Sequence, residues 1–356
     1  MSLPIVTAPE GLTATWLTEA LADPLAGGRV AEVHHEPVGT GQVGDVFRLA
    51  MRLEGAPAGC PRSVIAKLPA GDETSRATGV AVRSYELECR FYEQLAANLP
   101  VRTPTCHQVL FDPETHAFTL LFEDLAPARQ GDQIVGCSAD EAAAVVEEMT
   151  QLHAPRFGDA SLASIGWMNR RDPDSVAQVT ALATMVLPGF CERYGDRLGA
   201  DETSAYERMV AGLGEILGHH EGPNTVVHGD FRLDNLLFGV DDGTRVAVVD
   251  FQGAGCGPGT SDLAYFLGSG LLPDDRRANE EALVADYRTQ LLSRGVSGYS
   301  ADECWLGYRR GTFSGMVVTL VASMLVQQTA RGNDMFVAMG GRFARHALDL
   351  DAFGLL

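Results

Sequence analysis

One stretch narrows the possible folds more than any other. It reads His228-Gly229-Asp230-Phe231-Arg232-Leu233-Asp234-Asn235, and then Val248-Val249-Asp250-Phe251-Gln252. It offers an Asp, an Asn five residues later, and a second Asp after an intervening hairpin, whose short apolar runs (235–240 and 245–249) flank the turn Asp241-Asp242-Gly243. Asp and Asn are hard oxygen donors, suited to magnesium and not to zinc. Phosphoryl transfer from a nucleotide needs such a set: one carboxylate to hold or deprotonate the accepting hydroxyl, and oxygen ligands to hold Mg²⁺ against the phosphates.

A second feature is a count. The 27 basic residues are 26 arginines and a single lysine, Lys67. Lysine is a compact point charge on a slim stem, whereas guanidinium is a broad planar fork. Lys67 falls in an apolar run, 63–68, that reads as a strand. Two more strands, 30–38 and 45–53, precede it and are joined through Gly39-Thr40-Gly41-Gln42-Val43-Gly44. A short amphipathic helix over 13–21 comes first. After Lys67 a helix is predicted over 82–97, with Val82, Tyr85, Cys89, Phe91, Tyr92, Leu95 and Ala96 on one side. Glu88 falls inside that apolar arc and Glu86 outside it. An acid on a buried face needs a cation or a cluster of donors. A hairpin of 107–111 and 117–122 follows, so the order is three strands, a helix and two strands.

Beyond Glu123-Asp124-Leu125-Ala126-Pro127 the chain turns mostly helical. Ser138-Ala139-Asp140-Glu141 is a capping-box pattern that opens a helix to about His153. Further helices fit 175–194, 204–219, 279–293, 302–331 and 335–350. The fold class is α+β: a small antiparallel β unit with one helix, 1–123, and a larger mainly helical unit, 124–356.

These residues resemble the protein-kinase-like phosphotransferases that act on small molecules, among them aminoglycoside phosphotransferases, choline kinases and ecdysteroid kinase-like proteins. His228-Gly229-Asp230 with Asn235 looks like their catalytic loop, and Asp250-Phe251-Gln252 like their metal-binding segment. Gly39-x-Gly41-x-x-Gly44, Lys67, Glu88 and Glu123-Asp124-Leu125 stand in the family's order. The resemblance implies a bilobal fold that uses ATP and Mg²⁺, with a small hydroxylated molecule as acceptor. It implies Asp230 as catalytic base or hydroxyl-orienting group, and Asn235 and Asp250 as magnesium ligands. Lys67 would bind the α- and β-phosphates and pair with Glu88, with Glu86 as the alternative partner. Gly39, Gly41 and Gly44 would let a turn approach the phosphates. Glu123 and Leu125 belong to a hinge whose main chain would meet adenine. Arg232 would either stabilise charge in the transition state or pair with Asp234. Asp262 and His228 are expected to brace the catalytic loop. Gln252 stands where the family often has glycine, as in the ecdysteroid kinase-like branch. The alternative reading is a nucleotide-binding module of the same fold that has lost catalysis.

Charge and cysteine usage bound the setting. There are 47 acidic residues, and the net charge is −20. That balance argues against a general nucleic-acid or anionic-membrane partner, since both need a basic face. The seven cysteines are odd in number and scattered, with no C-x-x-C, which suits a reducing cytoplasm. No secretory signal precedes the first helix, and the longest apolar stretch, 315–326, is too short to span a bilayer. Residues 155–222 look like the family's variable substrate region. Their aromatics Trp167, Phe190 and Tyr194, with Trp305 and Tyr308, are expected mainly to pack helices.

Overall fold

The computed structural model describes residues 3–39, 43–218, 222–241 and 245–355. It is an α+β structure of two compact units, Met1–Asn98 with Thr103–Pro127, and Leu99–Arg102 with Ala128–Leu356.

The first unit opens with helices α1 (Ala14–Ala20) and α2 (Ala22–Leu25). Three strands follow: β1 (Arg29–Pro37), β2 (Gly44–Glu54) and β3 (Ser63–Pro69). Helices α3 (Glu73–Ala81) and α4 (Ser84–Gln94) come next, then strands β4 (Cys106–Phe111) and β5 (Phe118–Glu123). The five strands form one antiparallel sheet in the order β1-β2-β3-β5-β4. Alternate residues of β2 and β3 (Leu49, Met51, Val64, Ala66, Leu68) join Trp16 and Leu17 of α1, and Leu21 just beyond it, in a buried core. The strands fall where alternation predicts them, and the helix expected over 82–97 is α4, shorter at both ends. α3 before it is unexpected, and Arg83, with a positive φ of 58°, separates the two. Val82, expected on the buried side, is 48% exposed.

The second unit begins with the two-residue strand β6 (Arg129–Gln130) and helix α5 (Ala139–His153). The predicted capping box is formed: the Ser138 hydroxyl accepts from the Glu141 N–H, and the Glu141 carboxylate accepts from the Ser138 N–H. Ser138→Ala should lower stability by about 1 kcal/mol. A urea unfolding curve measures this, with the midpoint moved and the slope unchanged.

Helices α6 (Pro173–Tyr194), α7 (Ala200–Ala211) and α8 (Leu213–Gly218) follow. The last two divide at Gly212, inside the expected single helix. Among the described residues α6 is the one helix long and apolar enough to cross a membrane. Its Ala183, Val186, Phe190 and Tyr194 are packed in the core of this unit.

Strand β7 (Asn224–Val227), the hairpin β8 (Leu236–Val240) and β9 (Arg245–Val248), and strand β10 (Gly255–Pro258) come next. β7 pairs with β10, with Val227 opposite Gly255, and β8 pairs with β9, with Leu236 opposite Val248. Residues 228–235 and 249–254 therefore form two loops pinned together at both ends.

Helices α9 (Gly259–Gly270), α10 (Pro273–Ser293), α11 (Ala301–Leu325) and α12 (Ala330–Asp349) complete the unit. The helix expected over 302–331 breaks after Leu325, and a new one starts where the Thr329 hydroxyl caps Gly332. α9 is not predicted by periodicity because it is buried nearly all round, so no apolar stripe stands out. α11 meets it through glycines. A Cβ on Gly307 would lie 2.7 Å from Thr260 Oγ1, and one on Gly311 would lie 2.7 Å from the Thr260 carbonyl. One turn further on, a Cβ on Gly315 would overlap the Phe343 ring.

Candidate active site

Of the predicted groups among the described residues, six lie in the first unit: Gly39, Gly44, Lys67, Glu88, Glu123 and Leu125. Lys67 sits on β3, and its ammonium donates to Glu88 Oε2 on α4 at 2.5 Å. The side chains are 12% and 3% exposed, so the pair is largely out of water. Glu86, the alternative partner, is engaged by Arg83 at 3.0 Å instead. Gly44 opens β2 against the lysine: a Cβ there would stand 3.5 Å from Lys67 Cε and 3.2 Å from the Leu68 carbonyl. Gly39 has φ +78°, which glycine adopts without cost. Gly41 lies outside the described residues. Sequence reasoning missed Tyr85, whose hydroxyl donates to the Val43 carbonyl at 2.5 Å and secures the far side of that turn.

At the expected hinge, Glu123 is committed to the strand edge. Its N–H donates to the Thr105 carbonyl at 2.8 Å, and its Oε2 accepts from Thr105 N–H and Oγ1 at 3.0 and 3.1 Å. Asp124 accepts two hydrogen bonds from Arg48. Burial pushes the Asp124 carboxyl up, but Arg48, Ser63 and the Ala126 N–H outweigh it and leave it low. Leu125 differs: among the described residues its main-chain N–H and C=O make no hydrogen bond.

The other predicted groups lie in the second unit, in the two pinned loops. Asp230 is 17% exposed at its side chain. Its Oδ2 accepts from Arg232 Nε at 3.1 Å and from Asn235 Nδ2 at 3.0 Å, and its Oδ1 accepts from the Tyr265 hydroxyl at 2.7 Å. Burial pushes this carboxyl up, yet the Arg232 charge, the Tyr265 hydroxyl and His228 together hold it below the usual range. Asn235 also donates to the Asp230 carbonyl at 2.9 Å. Val249 N–H donates to the Asn235 carbonyl at 3.0 Å, which brings Asp250 beside Asn235 at the end of the β8–β9 hairpin. Asp250 itself has φ +69°, a conformation that Asp tolerates better than most side chains. Arg232 makes the expected pair with Asp234, Nη1 to Oδ2 at 2.8 Å, besides its contact to Asp230.

The loop is fixed from behind. Gly229 has φ +81°, and a Cβ there would lie 2.5 Å from the Gly253 carbonyl, so the two loops touch backbone to backbone. Asp262, in the first turn of α9, accepts from the N–H groups of His228 and Gly229 at 2.6 and 3.0 Å. His153 Nε2 lies 3.2 Å from the same carboxylate, and its Nδ1 lies 2.8 Å from the Tyr287 hydroxyl. His228 Nδ1 accepts from the Asp230 N–H, and Nε2 donates to the Val249 carbonyl at 3.0 Å. Both ring nitrogens are thus spent on loop geometry. Gln133, wholly buried, accepts from Leu233 N–H at 2.8 Å while its own N–H donates to Asp234 Oδ1 at 3.0 Å. Nothing in the sequence marked Gln133, Tyr265 or His153, because each lies far along the chain from the loop it supports. Of the expected packing aromatics, Phe190, Tyr194 and Tyr308 are buried in the helical core.

Residues 63–301 match the family model described as the phosphotransferase enzyme family. The chain belongs to that family.

Solved structures of other phosphotransferases share the fold. Choline kinase from Cryptosporidium parvum Iowa II is 10% identical, with 91% of each chain covered and a TM-score of 0.57. A choline/ethanolamine kinase family protein from Mesorhizobium loti is 18% identical, with 94% of this chain and 97% of that one covered and a TM-score of 0.51. Among curated relatives, acyl-CoA dehydrogenase family member 11 of Gallus gallus is 26% identical over 183 residues. That match takes in 46% of this chain and 23% of the relative, so this phosphotransferase spans less than a quarter of its length.

Proposed function

We propose that the chain transfers the γ-phosphate of ATP to a hydroxyl of a small molecule. The observation that carries the proposal is the pairing of Asn235 with Asp230. Both of the Asn235 amide's contacts to Asp230 run through its nitrogen, at 2.9 and 3.0 Å. This leaves the amide oxygen as a metal ligand beside Asp250. Among the described residues no cluster of three or more His, Cys, Asp or Glu could hold a metal alone. A hard cation that shares Asn235 and Asp250 with phosphate oxygens and water fits that donor set. Magnesium bound there would neutralise charge on the phosphates during transfer.

The residues then divide the work. Lys67, held by Glu88, would take the α- and β-phosphates, with the turn around Gly39 and Gly44 over them. Leu125 has the spare main-chain groups for adenine. Asp230 would accept the hydrogen bond of the acceptor hydroxyl and take its proton as the new P–O bond forms and ADP leaves. A carboxylate with three donors already on it is a weak base, so its larger contribution would be orientation. Arg232 would offset charge on the transferring group. All seven cysteines are free, which suits a reducing compartment such as the cytoplasm, where ATP is supplied.

The acceptor is best sought among alcohols of several kinds. Choline and ethanolamine are accepted by the neighbours' namesakes. Hydroxylated acyl-CoA compounds follow from the name of the curated relatives, and sugars, aminoglycosides and sterols extend the set. The experiment is ADP release from MgATP across this panel, with Asp230→Asn alongside. Release that needs one alcohol and is lost in the variant is the expected result and names the acceptor class. MgATP binding without release above the variant's background, for every alcohol, would point to a nucleotide-binding module without turnover.

A further inference from the structure

We infer that Tyr265 is a positioning residue for the transfer, its hydroxyl fixing the plane in which the Asp230 carboxylate meets the acceptor. The inference rests on the phosphotransfer reading above. A carboxylate turns readily about its last side-chain bond unless both oxygens are held. Arg232 and Asn235 hold Oδ2, and Tyr265, at 2.7 Å, holds Oδ1. The phenol is itself fixed. It is buried on α9, and its ring meets Phe343 edge-on at 5.0 Å. Phe343 in turn occupies the space that Gly315 leaves by lacking a side chain. Among the described residues the Tyr265 hydroxyl makes no other hydrogen bond. Burial and the Asp230 charge push the phenol far up, so it stays a donor at any working pH.

Spacing on α9 adds a second argument. Asp262 and Tyr265 are three residues apart and so share one helix face. Asp262 grips the loop by the backbone of residues 228 and 229, and Tyr265 grips the next residue by its side chain. The helix thus sets both where the loop runs and how its functional carboxylate is turned.

The test uses the full chain, MgATP and the alcohol that gives most ADP release in the panel. Tyr265→Phe keeps the ring and removes the donor. Its kcat should fall about ten- to a hundredfold, as expected for a lost hydrogen bond to a charged group. KM for MgATP and for the alcohol should stay within about twofold. Placed on Asp230→Asn, the same change should have no further effect, because the carboxylate it acts through is gone. A purely structural tyrosine would lower activity by the same factor in both backgrounds, and that result overturns the inference. So does a Tyr265→Phe kcat within about twofold of wild type. If Tyr265→Phe folds but is too unstable to assay, melting temperatures of the four proteins carry the same comparison. Destabilisation only in the presence of Asp230 supports the coupling, and equal destabilisation in both backgrounds overturns it. Wild-type turnover in Asp230→Asn, or no ADP release with any alcohol, would instead remove the phosphotransfer reading and this inference with it.

Discussion

Asp230→Asn should lower kcat about a thousandfold while MgATP affinity stays within about twofold. The substitution keeps the size and planarity of the side chain, so the loop should keep its path through Asp262 and Gln133. What changes is the charge and the number of lone pairs. Three donors now point at the carboxylate, and an amide can satisfy them only in part. The acceptor hydroxyl loses the site that orients it, and Arg232 loses one of its two anions and leans on Asp234 alone. Steady-state ADP release gives kcat, and a nucleotide titration gives the affinity. A kcat within about tenfold of wild type would show that Asp230 does not handle the hydroxyl. The wild-type carboxyl lies below its ordinary value of 3.8, so it is ionised throughout the neutral range. Its favourable contacts are present above that value and are lost as pH falls through the lowered one. An acidic limb in kcat near pH 6 would therefore belong to another group.

The second large effect is expected at Glu88. Glu88→Ala removes the carboxylate that the Lys67 ammonium donates to at 2.5 Å, where the lysine side chain is only 12% exposed. Removing one partner of a buried ion pair costs up to about 3–5 kcal/mol. Replacing both, as Lys67→Met with Glu88→Leu, should recover most of that stability, since two apolar side chains need no partner. Activity should not recover with it. Without the ammonium the α- and β-phosphates lose the cation that β3 would supply, and kcat/KM for MgATP should remain at least about a hundredfold down. Chemical denaturation and MgATP kinetics on the two variants separate the pair's contribution to folding from its contribution to binding. Recovery of both in the double variant would assign Lys67 a purely structural place.

Local chemistry made much of this readable from the chain. Strand alternation set β1 to β5, the cap residues of α5 announced its start, and the single lysine with an acid on a helix's inner face led to each other. The candidate catalytic segment was legible as a motif because its elements sit close in sequence, around one hairpin. Other features were not, for separate physical reasons. Helix α9 is buried on every side and so lacks the stripe that marks a helix. The break expected between 331 and 335 falls earlier, at 326–329, because Thr329 caps the helix that follows. Gly253, one residue beyond Gln252, lets the two loops touch backbone to backbone, a contact that no local pattern announces. Tyr265 and Gln133 reach the loop only through tertiary packing, so spacing along the chain gives no hint of them.

The glycines of α11 have a consequence for how such an enzyme could change. Most packed interfaces are adjusted in small increments, a methyl group removed here and a methylene added there. The seam between α11 and the helix that steadies the catalytic loop has no smaller residue available at Gly307 and Gly311, and the least possible addition already collides with backbone or with Thr260. That side of the site is therefore a fixed datum. Inherited variation in the reaction would have to accumulate elsewhere, on surfaces where side chains still have room to be traded one atom at a time.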